Sequence, residues 1–129
     1  MQIVKQISIV INNSPGTLAR ICRALEEAGI NLSGFAAWGE QDHGIVRVVC
    51  DRPLKALDLV EGAGMIAFSS EILEVRRENR PGELLEIAES LANDRVNIDY
   101  AYGSAPATGA GTMYLGVSDM ARARRALKI

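Results

Sequence analysis

Aromatic residues are scarce in this chain, at 5% of 129 residues. A core built on stacked rings is therefore excluded, and Ile, Leu, Val and Ala must fill the interior. There is a single histidine, His43, and only two cysteines, Cys22 and Cys50, with no CxxC spacing. A metal site needs several ligands at defined geometry. His43 also lacks a Ser or Cys partner with an orienting acid. No catalytic residue, metal ligand or cofactor is expected, and the chain is not expected to be an enzyme. The cysteines read as two reduced thiols of a cytoplasmic protein. An excess of positive charge is missing too. The chain has 14 Lys and Arg against 16 Asp and Glu, a net charge of −2, which argues against a nucleic-acid partner. No apolar run approaches the roughly 20 residues that span a bilayer, so no membrane partner is expected. Residues 1–13 alternate in polarity and read as a strand, not a signal peptide.

What is present is a repeat. Asn13-Ser14-Pro15-Gly16-Thr17-Leu18 returns as Asn79-Arg80-Pro81-Gly82-Glu83-Leu84, 66 residues later. At the same spacing Ile21 meets Ile87, Leu25 meets Leu91, Ile30 meets Val96, Asn31 meets Asn97 and Leu32 meets Ile98. A fixed period with this order of landmarks marks a structural duplication. Two modules are expected, at 1–69 and 70–129.

Each copy has the same local grammar. Ile3, Ile7, Ile9 and Ile11 fall on one face of an alternating segment, with Gln6 and Ser8 opposite, as in a half-buried strand. Pro15 suits the first turn of a helix. Leu18, Ile21, Cys22 and Leu25 follow at helical spacing until Gly29. A strand from Ile30 to Trp38, a hairpin loop over Gly39–Gly44 and a strand over Ile45–Cys50 come next. Pro53 then opens a second helix, and a fourth strand starts near Met65. The second copy predicts a strand to Arg77, a helix from Pro81, strands over Val96–Tyr102 and Thr112–Val117, and a basic helix from Asp119. The order βαββαβ is that of an α+β ferredoxin-like sandwich, an antiparallel sheet with both helices on one face.

The duplication does not close. Ile129 corresponds to Ala63, so the second module lacks its last strand. The fourth strand of module one and the first strand of module two also compete for Phe68–Glu71. One long strand over about 65–77, serving both modules and kinked near Ser69-Ser70, resolves the conflict. It leaves an open edge along Leu73 and Val75. Open edges are usually covered, and a strand from module one or a second chain is predicted there. The alternative is a last strand that this sequence does not carry.

Two polar stretches recur where packing does not need them. The first is the loop before the helix: Asn12, Asn13, Ser14, Pro15 and Gly16 in one copy, Asn79, Arg80, Pro81 and Gly82 in the other. A helix N-terminus offers unpaired N–H groups and attracts a carboxylate. Gly16 and Gly82 would let a ligand approach closely, and the Asn amides offer donors and acceptors to a zwitterion. Ser14 could cap its own helix, whereas Arg80 cannot, leaving more donors unused in copy two. The second stretch is Asn31 and Asn97, at the entry to the following strand. All four Asn residues have an alternative reading as turn formers.

At these residues the sequence resembles the ACT domain family of small-molecule regulatory modules, and its layout is similar to small stand-alone tandem ACT proteins. The resemblance spans Ile11 to Leu18 with Gly29 to Leu32, and Asn79 to Leu84 with Val96 to Ile98. It implies a ligand, expected to be an amino acid, held by Asn12, Asn13, Ser14, Pro15, Gly16, Thr17 and Leu18 and by Asn79, Arg80, Pro81, Gly82, Glu83 and Leu84. Asn31 and Asn97 would contact it from a neighbouring module. Serine-binding members carry a ligand-contacting His two residues before the loop Asn; here Ile11 and Arg77 stand there. The resemblance implies a homodimer that regulates a separate metabolic enzyme or regulator. The alternative is a structural or protein-interaction pair with vestigial ligand sites.

Several other signals have plainer readings. His43 lies in a hairpin loop beside Glu40 and Asp42, and Glu26 and Glu27 lie on a solvated helix face. Arg122, Arg124, Arg125 and Lys128 complement a helix C-terminus. Trp38 could serve the core, an interface or a pocket wall, and Tyr100 and Tyr102 share one strand face. The Gly- and Ala-rich stretch 103–111 lacks a phosphate-loop pattern. An RNA-binding sheet needs surface aromatics, and the predicted first and third strands supply one, Tyr114.

Overall fold

Alternating Ile residues drive the first strand. A computed structural model, which describes all 129 residues, shows β1 over Gln2–Asn12, α1 over Thr17–Glu27, β2 over Leu32–Glu40 and β3 over His43–Cys50. It continues with α2 over Pro53–Gly62, β4 over Ile66–Glu78, α3 over Glu83–Asn93, β5 over Ile98–Gly103, β6 over Ala110–Val117 and α4 over Met120–Leu127. The first hairpin is tighter than expected. β2 runs on to Glu40 and β3 begins at His43, so only Gln41 and Asp42 turn the chain. Gln41 adopts positive φ, at 59°, as primed two-residue hairpin turns require.

The chain forms two compact units, residues 5–70 and residues 1–4 with 71–129. β4 is the long shared strand, and the division falls within it, between Ser70 and Glu71. β1 is divided as well, after Val4. The expected boundaries assigned residues 1–4 to the first module; they pack with the second. No Gly or Pro marks this division, although the exposed Lys5 interrupts the apolar face of Ile3, Ile7 and Ile9 at that point.

In the first unit the strands follow the order β2-β3-β1-β4. Ile7 and Ile9 of β1 pair with Val48 and Val46 of β3, which pair with Phe35 and Ala37 of β2. Ile21 and Leu25 of α1 and Ala56 and Val60 of α2 close the core against this face, with Met65 and Ala67 packed alongside. Gln6 and Ser8, expected on an open face, are instead buried. β1 is an interior strand, and Gln6 Nε2 donates to Ser8 Oγ at 3.4 Å.

The second unit follows the order β1-β4-β6-β5. Leu73 and Val75 of β4 pair with Leu115 and Met113 of β6, which pair with Ala101 and Gly103 of β5. Ile87 and Leu91 of α3 and Ala123 of α4 cover them. Residues 1–4 of β1 lie beside β4 in this unit, with Ile3 packed on this core and Gln2 Nε2 donating to Glu74 Oε1 at 2.5 Å. The edge along Leu73 and Val75 is thus covered from within the chain. Both units are ferredoxin-like α+β sandwiches with their helices on one face.

Candidate functional site

The Pro-Gly pairs make turns before they make helices. Thr17 N–H donates to Ser14 O and Glu83 N–H to Arg80 O, both at 3.3 Å. Gly16 stands at φ 88°, ψ −9° and Gly82 at φ 95°, ψ −9°. Proline followed by a positive-φ glycine is the type II β-turn. The helices therefore begin at Thr17 and Glu83 rather than at the prolines. Gly16 and Gly82 are needed for this backbone conformation and not for close approach, since a Cβ at either would meet nothing within 4 Å. Neither helix has a side-chain cap. Ser14, expected to cap α1, instead shares a hydrogen bond with Thr17 Oγ1 at 3.0 Å.

The duplicated Asn residues have duplicated partners. Asn13 N–H donates to Asp42 O at 3.0 Å and its Nδ2 to Gln41 O at 2.9 Å. Asn79 N–H donates to Gly109 O at 3.1 Å and its Nδ2 to Pro106 O at 2.7 Å. Each staples the bend to the neighbouring hairpin tip, with its amide donor engaged inside the module. At the opposite end of the helix, Asn31 N–H donates to Asp51 Oδ1 at 3.1 Å, and Asn97 N–H to Ser118 Oγ at 2.9 Å. Asn97 Nδ2 also donates to Asp99 Oδ1 at 2.8 Å. An 11-residue helix is about 16 Å long, so Asn13 and Asn31 do not meet within a module, nor do Asn79 and Asn97.

The two bends differ in what lies beside them. Next to the second is a cavity of about 410 Å³. Of the expected residues it gathers Asn79, Arg80, Gly82, Glu83 and Leu84; Pro81 and Asn97 are not in its wall. Arg77, noted in the sequence only as standing where serine-binding ACT members carry His, also lines it, and sequence reasoning missed Leu85 and, on the floor, Ala101, Gly103, Met113 and Leu115. Its polar end is a linked trio: Arg77 Nη1 lies 3.4 Å from Glu83 Oε2, and Arg80 Nε lies 3.5 Å from Glu83 Oε1. Glu78 also lines the cavity, so its wall carries two guanidinium groups and two carboxylates. Leu84 and Leu85 of α3 and Ala101, Met113 and Leu115 of the sheet supply its apolar wall, and Tyr102 and Ser104 also line it.

A groove under α1 in the first module holds about 150 Å³ and is apolar throughout; it shares the positions of Leu18, Phe35, Val46 and Val48 with that cavity but lies further along the helix, against Ile21, Cys22 and Leu25. Of the expected residues only Leu18 lines it; Asn12, Asn13, Ser14, Pro15, Gly16, Thr17 and Asn31 do not. The spacing of 66 explains the contrast. Ile11 stands for Arg77, Ser14 for Arg80 and Thr17 for Glu83, so the charged trio is absent. Phe35 stands for Ala101 and fills space over the sheet. That exchange was visible in the repeat, had it been followed into β5. Trp38 lies outside this groove, under the Arg47 guanidinium at 5.0 Å. Tyr102 stacks on Tyr114 at 5.1 Å, and His43 is exposed beside Asp42.

A family described as "ACT domain pair" matches residues 1–127. The chain belongs to this family. Among solved structures, the ACT pair is similar to protein BT0572 from Bacteroides thetaiotaomicron. That match has a TM-score of 0.90 at 26% identity and covers 98% of this chain and 87% of that one. It also shares its fold with the ligand-free regulatory subunit of aspartate kinase from Thermus thermophilus, with a TM-score of 0.71, 17% identity and coverage of 99% and 96%. The corresponding subunit from Thermus flavus gives 0.66, 19%, 99% and 95%. No curated protein matches the chain by sequence. No helix of the ACT pair is long and apolar enough to cross a membrane.

Proposed function

We propose that this ACT pair is an amino-acid-binding regulatory protein whose working site is the cavity of its second module. The observation that carries this reading is the Arg77–Glu83–Arg80 trio in the wall of a largely apolar cavity of about 410 Å³. Small-molecule pockets fall in the range of about 300–1,000 Å³ and combine apolar walls with a few convergent polar groups. An α-amino acid has complementary charges: its carboxylate pairs with the guanidinium groups of Arg77 and Arg80, and its ammonium with Glu83. Arginine suits the first task because its planar fork matches a carboxylate. Asn79 then holds the rim by its staple to Pro106. Arg80, Pro81, Gly82, Glu83 and Leu84 form the turn and first helical residues that position the trio.

Regulation follows if the ligand favours one arrangement of the protein over another. Two of the structural relatives are regulatory subunits of aspartate kinase, and that is the kind of output we assign here: a homodimer acting on a separate enzyme, in the cytoplasm. Asn97 would enter only from a second module. The first module fits the vestigial reading, since its groove is small and carries no charge.

The test is the melting temperature of the full chain with each of the twenty amino acids. A ligand at 100 times its Kd adds about 2.7 kcal/mol of stability, a clear upward shift. Arg77→Leu should abolish that shift while leaving the melting temperature of the free protein near its starting value. No shift with any amino acid would refute the reading in favour of a structural pair.

A further inference from the structure

We infer that the second-module site selects amino acids with an aliphatic side chain of about leucine size, at one ligand per chain, and that Ala101 is the residue that sets this size. The inference rests on the amino-acid reading above and adds the side-chain class. With the head group at Arg77 and Glu83, the ligand side chain extends over Ala101 and Gly103. Leu84 and Leu85 form one wall and Met113 the other. Leu84 and Leu85 are 53% and 59% exposed, apolar surface that such a ligand would cover. None of these five residues carries a charge; the cavity's charged groups, Arg77, Glu78, Arg80 and Glu83, all lie in the stretch from Arg77 to Glu83. A polar group taken between the apolar walls would lose its water without a partner, which is costly.

The register gives the size argument its footing. Ala101 pairs with Leu115, and Leu115 with Leu73. In the first module Phe35 pairs with Val48, and Val48 with Ile7. Phe35 and Ala101 therefore occupy the same place on the helix-covered face, and the cavity is about 150 Å³ beside the phenyl ring and 410 Å³ beside the methyl group. Ala37 and Gly103 differ in the same sense. The first module lacks the charged end and has Phe35 in the place of Ala101, so a single ligand per chain is expected.

The experiment is calorimetric titration of the full chain with leucine, norleucine, alanine, serine, lysine and glutamate, repeated with Ala101→Phe and with the milder Ala101→Leu. Leucine and norleucine should bind at one per chain. Alanine and serine should bind at least about tenfold more weakly, since removing even one methylene from an apolar pocket commonly costs that much. Both variants should lose leucine affinity by about tenfold or more, and circular dichroism melting will show which of them folds. If serine, lysine or glutamate binds as tightly as leucine, and Ala101→Leu weakens that binding, the side-chain class is wrong while the amino-acid site stands. If Ala101→Leu folds and binds leucine like the parent, or if two leucines bind per chain, the size argument is overturned. If none of the six amino acids binds, this inference falls, and the melting screen with all twenty decides whether the amino-acid reading falls with it.

Discussion

The two modules share a core and differ in the space beside one helix. Ile7, Ile9, Ile21 and Leu25 in one are answered by Leu73, Val75, Ile87 and Leu91 in the other, all buried. Around this common frame, three polar positions and one floor position have diverged. Ile11, Ser14, Thr17 and Phe35 hold these positions in one copy, where of the four only Phe35 lines a small apolar groove; Arg77, Arg80, Glu83 and Ala101 all line the larger cavity of the other. Neither the turns nor the helices had to change. A duplicated fold can thus carry a charged cavity in one copy and an apolar groove in the other on one framework, because the groove-facing positions at the edge strand take little part in the core.

The comparison can be tested from the core outwards. Ile7→Ala and Leu73→Ala remove equivalent, fully buried side chains, and each should cost about 2–5 kcal/mol in urea unfolding. A cost below about 1 kcal/mol at either position would show that the two cores are not equivalent. Next come the staples. Asn13→Ala and Asn79→Ala each remove one amide donor to a carbonyl and should cost about 0.5–1.5 kcal/mol. If Asn79→Ala left stability unchanged and cost leucine binding alone, its primary role would be ligand contact instead. Phe35→Ala should be milder still, under about 1 kcal/mol, because the ring is 61% exposed and exposed substitutions rarely cost more. It should widen the first groove without creating a tight site, since Arg77 and Glu83 have no counterparts there.

The smallest effect concerns the thiols. Burial pushes the Cys50 thiol above its ordinary value of 9.0, while Cys22 is exposed. Iodoacetamide at pH 8 should label Cys22 first, because the thiolate is the reactive form. The folded state holds the Cys50 proton more tightly than the unfolded state does. Its contribution to stability is therefore full below about pH 9 and is lost as pH rises through the raised value. Equal labelling rates would show that Cys50 is more open than it stands in the fold.

Much of the architecture was readable from local chemistry. The spacing of 66 residues exposed the duplication, alternation located β1, and helical spacing located α1 and α3. The competition for Phe68–Glu71 forecast the shared strand β4. The Pro-Gly pairs were read as helix starts, although proline followed by glycine is also the signature of a type II turn. Part of the site was legible too: the bend from Asn79 to Leu84 lines the cavity except at Pro81, and Arg77 stood out as a departure from the family pattern.

Short-range rules carried that information: the period of a helix, the pleat of a strand and the torsions open to glycine. They depend on neighbours in sequence, so the chain itself was enough to establish two ferredoxin-like modules. The first four residues joining the second module, the amides of Asn13 and Asn79 donating to a hairpin tip, and Phe35 narrowing what Ala101 leaves open are different in kind. Each joins residues that are 13 to more than 60 positions apart, and only folding settles which of several possible partners such groups acquire.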